Sequence, residues 1–176
     1  MGYGKNMLNY APFACQRIRA SRSVATLLLV LLLLSWQSVY AATSFSAEST
    51  TVTNLPNNTC TSYTNISIPI TDNYTITDLN VGLNITHPNR ADIDAKLTSP
   101  AGTTIFLFTD VGSSGDNLDI WLDDSATTDI GTLGTTNQVV TSPYYENTYN
   151  PEGTVYLSAF NGQKSQGNWI LGICDD

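Results

Sequence analysis

The sequence predicts an all-β chain, an antiparallel β-sandwich preceded by an N-terminal signal-peptide helix, and three observations carry that expectation. From Leu79 to Leu97, apolar and polar residues alternate with a period of two: Leu79, Val81, Leu83 and Ile85, then Ile93, Ala95 and Leu97. That is the signature of strands with one buried face. Turn-forming residues follow each run at short intervals, as at His87-Pro88-Asn89-Arg90 and Ser99-Pro100-Ala101-Gly102, where proline fixes one backbone angle and glycine is free to take the positive one. After Leu34 no stretch repeats its apolar residues at helical spacing.

The first 42 of the 176 residues read as a leader. Lys5, Arg17, Arg19 and Arg22 come without an acidic residue, Val24 to Leu34 is an apolar run dominated by leucine, and Ser35 to Ala42 is a small-residue exit. A basic start, a short apolar run and a small-residue exit make a secretory signal peptide, and the run is shorter than the ~20 residues a spanning helix needs. Cleavage is expected after Ala41 or Ala42, leaving no stable membrane span; an uncleaved signal anchor is the alternative. Removal of the leader takes four of the seven basic residues and none of the fifteen acidic ones. The remaining surface is strongly acidic, which repels phosphate backbones, excludes nucleic acid as a partner and favours divalent cations.

Thr43 to Asn58, rich in Ser, Thr and Asn, reads as a flexible linker, and residues 59–176 as the domain. Cys15 falls in the leader, so Cys60 and Cys174 are the two cysteines of the mature chain. In an oxidising compartment they most simply form one disulfide, with two free buried thiols as the alternative. Ile66, Ile68 and Ile70 make the first strand of the domain, and Pro69 within it points to an edge strand or a strand end. Leu79 to Ile85, Ile93 to Thr98 and the run up to Phe108 follow as the central unit. Leu118 to Leu122 is the next strand, with Trp121 as its large side chain. From Ala126 to Asn150 a long excursion is expected, with Val139-Val140 as its strand-like point. Thr154 to Phe160 reads as a strand, and Trp169, Leu171 and Ile173 as the core face of the last one.

The motifs themselves resemble a known family. His87-Pro-Asn-Arg90-Ala-Asp92-Ile, Leu97-Thr-Ser-Pro100-Ala-Gly102-Thr, Asp123-Asp124-Ser-Ala126, Pro151-Glu-Gly153 with Leu157-Ser-Ala-Phe160-Asn-Gly162, and Gly167-Asn-Trp169-Ile-Leu171 with Asp175 stand in this order. Together they resemble the P domain (Homo B domain) that follows the catalytic domain of proprotein convertases and of many secreted bacterial subtilisin-like and metallo-proteases. The resemblance runs from about Ile66 to Asp176. It implies a jelly-roll-like sandwich with no catalysis of its own, which packs against a subtilisin-like serine endopeptidase domain, stabilises it, and modulates its calcium and pH dependence. A secreted or cell-surface location and a protease catalytic domain as partner follow from it.

Two departures from the family pattern stand out. Ala91 replaces the glycine of the family's Arg-Gly-Asp, so an integrin-type adhesive role is unsupported. The family pattern continues into one more strand where this sequence stops, which reads as a missing last strand and predicts an unpaired edge beside the Trp169 strand.

No catalytic constellation is visible. A serine-protease triad needs a mobile histidine, and the sole histidine, His87, sits at a strand end before a proline, where a turn-stabilising role is expected. The glycine-serine loop at Gly112 to Gly115 lacks the strand-turn-helix setting of a nucleophile elbow, and no zinc or phosphate-binding motif occurs. Arg90 and Asp92 are expected to pair at the corner, Pro100 and Gly102 to make the turn, and Trp121 and Trp169 to lie in the core. Calcium is the candidate ion, since acidic loops supply the six to eight oxygens it takes; Asp116, Asp119, Asp123 and Asp124 are its candidate ligands. Asn57, Asn65, Asn73 and Asn84 begin Asn-x-Ser/Thr triplets, and Asn84 is expected on a wet strand face. The alternative function is a free-standing adhesion or carbohydrate-binding sandwich that stacks its ligand on Tyr144, Tyr145 and Tyr149.

Overall fold

The computed structural model describes residues 13–20, 43–49, 54–56 and 60–176. Among them nine strands form two sheets: β1 (Phe13–Ala20), β2 (Thr43–Ser49), β3 (Thr64–Ile70), β4 (Leu79–Ile85), β5 (Ile93–Thr98), β6 (Thr104–Phe108), β7 (Leu118–Leu122), β8 (Asn147–Tyr149) and β9 (Gly167–Asp175). One sheet has the order β2-β1-β4-β7-β8 and the other β3-β9-β5-β6. All pairings are antiparallel except β7 with β8. The expected all-β sandwich is what forms.

The two-residue period decides what each strand buries. Leu79, Val81, Leu83 and Ile85 of β4 and Leu118, Ile120 and Leu122 of β7 meet Ile66, Ile68 and Ile70 of β3, Ile93, Ala95 and Leu97 of β5, and Trp169, Leu171 and Ile173 of β9 in one apolar core. Trp169 is fully buried. Its indole Nε1 donates to the Ser165 carbonyl at 2.8 Å, and its ring meets Phe160 edge-on at 5.1 Å, so the polar handle is satisfied where the ring is dry. Cys60 and Cys174 form the expected disulfide, which ties the start of the domain to β9.

Four sequence expectations change. β9 is no edge: it bonds β3 on one side and β5 on the other, its backbone groups pointing alternately to the two flanks. β3, with exposed Pro69, is one edge of that sheet and β6 the other. Residues 154–160 are not a strand; Leu157–Phe160 is a 3-10 turn, which buries Leu157 and Phe160 three apart on one side. Val139-Val140 is not a strand either, and Val139 is exposed; Asn147–Tyr149 forms β8 instead, held by the parallel ladder to β7. Finally, Thr43–Ser49 of the expected flexible linker is strand β2, whose Phe45 and Ala47 pack against the core.

β1 lies inside the stretch read as a signal-peptide helix: Phe13–Ala20 is strand instead, held by its ladders to β2 and β4. The apolar run Val24 to Leu34 and its exit lie outside the described residues, as does Asn57.

Candidate functional site: the His87 corner and the loops it holds

Between β4 and β5 the chain turns at Pro88, which has no amide hydrogen for a ladder, and continues as a 3-10 turn at Arg90–Asp92. Arg90 is completely buried. Its guanidinium donates to the carbonyls of Asp116 (3.1 Å), Asn117 (3.0 Å) and Thr136 (2.9 Å), and to that of Gly134, while its backbone N–H donates to Gly115 O at 3.0 Å. One side chain thereby fastens the corner to the 112–117 loop and to the start of the long excursion. The loop can wrap the guanidinium only because it carries glycine at the approach points. A Cβ on Gly112, whose φ is +81°, would lie 2.1 Å from Nε, and one on Gly115 would lie 2.3 Å from an Nη.

The expected Arg90–Asp92 pair does not form; Asp92 accepts from Asn89 Nδ2 at 2.6 Å instead. Residues two apart on a 3-10 turn point in different directions, since only those three apart eclipse. Burial lowers the pKa of Arg90 from its ordinary value, against the opposing pull of Tyr149 and Asp116.

His87 is buried as well. Its Nδ1 lies 2.6 Å from the Asn89 carbonyl oxygen, its Nε2 lies 3.3 Å from Asp175 Oδ1, and its backbone N–H donates to Asn117 Oδ1 at 3.1 Å. The ring is thus engaged on both nitrogens in closing a turn, as its place before Pro88 predicts.

On the outer face of the five-stranded sheet, Asn84 of β4 stands opposite Asp119 of β7, and Gly82 opposite Trp121. Asp119 is fully buried. Its carboxylate accepts from Asn84 Nδ2 (2.7 Å), from the N–H of Tyr145 (2.8 Å) and from that of Glu146 (3.1 Å). Asn84 is therefore not on a wet face: it is 1% exposed, because the excursion folds back over it. Of the triplet asparagines, Asn65 and Asn73 are exposed. Trp121 sits half-buried on this outer face rather than in the sandwich core, its ring 5.8 Å from Tyr145.

The tyrosines expected as a stacking platform meet only in part, with the rings of Tyr144 and Tyr145 6.2 Å apart. Tyr145 packs on Trp121, Tyr149 packs partly against the core, and Tyr144 is exposed.

The candidate calcium ligands serve separate amides. Asp116 accepts from Asn137 Nδ2 at 3.0 Å, Asp123 from the Ser125 N–H at 2.7 Å, and Asp124 from the N–H groups of Leu157 (2.8 Å) and Ser158 (2.7 Å). With Asp119 holding the excursion, the four do not converge on one ion. A different acidic group gathers beside the disulfide. Burial raises the pKa of Asp94, opposed by a hydrogen bond from Tyr63, and the Tyr63 phenol is itself pushed up to about 12 by burial and by Asp94. Asp110 is raised by desolvation and then by the charges of Asp176, Glu152 and Asp92. Among the described residues, Cys60, Asp94 and Cys174 bring ligand-type atoms within 4.8 Å of one another, but both sulfurs are spent in the disulfide.

The remaining scaffold residues lie where the sequence places them. Pro100 and Gly102 make the turn between β5 and β6, with the Gly102 N–H donating to Ser99 O at 2.9 Å and Gly102 at φ +86°. Pro100 also lies against β9: a Cβ on Gly167 would stand 2.6 Å from it.

With this arrangement in view, the family can be settled. The model of the proprotein convertase P-domain family matches residues 76–176. The chain belongs to that family. The match spans β4 to β9, and so takes in the His87 corner, the Arg90 cage and the Asp119 anchor of this P domain; β1, β2 and β3 precede it. No curated protein and no solved structure matches the P domain described here.

Sequence reasoning missed Gly112 and Gly115 as the walls of the Arg90 cage and Asp175 as the partner of His87. The spacing of the two glycines in a loop, one turn apart, was the available signal; nothing local marks Asp175.

Proposed function

We propose that this P domain is an exported accessory module that packs against a subtilisin-like serine endopeptidase domain and stabilises it, without contributing to the bond-breaking step. The observation that carries the reading is the family match over β4 to β9. It is supported by the state of His87, which is buried and engaged by Asn89 and Asp175, where general-base chemistry would need it beside a hydroxyl. An extracellular location is supported by the Cys60–Cys174 disulfide and by the leader read from the sequence.

The test is to produce the exported chain together with a subtilisin-like catalytic domain encoded beside it. The two should co-elute, and the peptidase should outlast the catalytic domain alone at elevated temperature. An unchanged inactivation rate, or peptide cleavage by the P domain unaided, would overturn the proposal.

A further inference from the structure

The edge of β4 holds β1, a strand from the stretch read as leader. Gln16, Arg17 and Ile18 of β1 pair with Val81, Asn80 and Leu79, yet β1 precedes the apolar run and the cleavage site at Ala41-Ala42. This inference therefore rests on the leader reading. β4 is ill suited to stand as an edge. All seven of its residues are buried, Asn80 among them at 5% exposure with an Oδ1 that has no hydrogen-bond partner, and an exposed ladder edge beside apolar residues invites association.

We propose that removal of the leader lets β2 step inward by one strand position and pair in parallel with β4. The register makes the move possible without turning any side chain to the wrong face. Phe45 and Leu79 both stand opposite Ile18, Ser46 and Asn80 both opposite Arg17, and Ala47 and Val81 both opposite Gln16.

A sideways step of about 4.8 Å, one strand spacing, brings Phe45 beside Leu79 and Ala47 beside Val81, with the inward and outward alternation preserved. Phe45 and Ala47 already pack partly against the core, so the step completes their burial. It also places the Ser46 hydroxyl next to the unsatisfied Asn80 amide. Since β2 runs antiparallel to β1 and β1 antiparallel to β4, the new pair is parallel.

The segment between Ser49 and Thr64 is far longer than such a step requires. Tethering within one chain gives β2 an effective concentration in the millimolar range, which a strand from a separate molecule does not match.

The experiment uses the exported chain. Mass spectrometry of its N-terminus reports cleavage, and residue-level amide exchange then reports the β4 edge. In the cleaved protein the β4 amides not bonded to β7 are expected to exchange slowly. In Ser46→Pro, which cannot donate at that position, they should exchange at least about tenfold faster while β9 amides stay protected. An uncleaved chain sinks the leader reading and the inference together. A cleaved chain sinks the inference alone if those amides are equally fast, or equally slow, in both proteins, or if their protection appears only in a dimer.

Discussion

Arg90 and Gly112 occupy space that admits no third atom: a methyl group on the glycine would stand 2.1 Å from the arginine Nε. The loop and the side chain are one unit, because the four carbonyls that receive the guanidinium come from segments with no strand or helix of their own to hold them. Gly112→Ala, which adds both the clash and a strained positive φ, is expected to destabilise by about 2–4 kcal/mol in chemical denaturation. Gly134→Ala, with nothing within 4 Å of the new methyl group, should stay within about 0.5 kcal/mol of the wild type.

Removing the arginine itself leaves four loop carbonyls without their donor and an unfilled space beneath them. Arg90→Met should cost about 3 kcal/mol or more, and amide exchange should quicken first in the 112–117 loop and around residues 134–138. A uniform loss of protection across both sheets would show that the side chain serves the core rather than the loops.

Asp119 is expected to control the cover of the outer face. In Asp119→Asn one carboxylate oxygen gives way to an amide that cannot accept, so one of the three donors from Asn84, Tyr145 and Glu146 loses its acceptor. The expected cost is about 1–3 kcal/mol, accompanied by a change in Trp121 fluorescence as Tyr145 leaves its ring. An unaltered emission spectrum would mean that the tyrosine is held in place by other contacts.

Asp110 gives a pH dependence of defined sign. Its folded pKa is raised, so its contribution to stability is fully present below the ordinary carboxylate value near 3.9 and is lost as pH rises through the folded value. Asp110→Asn should therefore raise the melting midpoint at pH 7, by about 1–2 °C for so exposed a group, and leave it unchanged at pH 3. Asparagine also tolerates the φ of +50° found there. A larger gain at pH 3 than at pH 7 would contradict the assignment.

Calcium can be tested directly by melting the P domain with and without a chelator. Because Asp116, Asp119, Asp123 and Asp124 each serve their own amides, the midpoint is expected to be the same at low-micromolar free calcium as in its absence. A rise of several degrees would require those carboxylates to leave their present partners and converge.

The strands were legible wherever one face is core and the other is water, as in Ile93 to Leu97, because the two-residue period is then written in the residue types. It fails on β4, whose outer residues Gly82 and Asn84 read as wet and are covered by the loop at Tyr145, some sixty residues away. Leu157 and Phe160 misled for a related reason: apolar residues three apart fit a strand run or a 3-10 turn, and the carboxylate that caps the turn, Asp124, is distant in sequence. The corner residues were recognisable as a group, but not their bonds. Arg90 has a carboxylate two residues away and spends its donors on carbonyls more than twenty residues on, since what decides the partner is the shape of the enclosing loop.

β9 lies between β3 and β5, which do not touch along their ladders except through it. During synthesis, then, more than a hundred residues leave the ribosome before the sheet has its middle, and neither flank can be completed until residues 167–175 emerge. Such a chain leaves its four-stranded sheet open until β9 has been made.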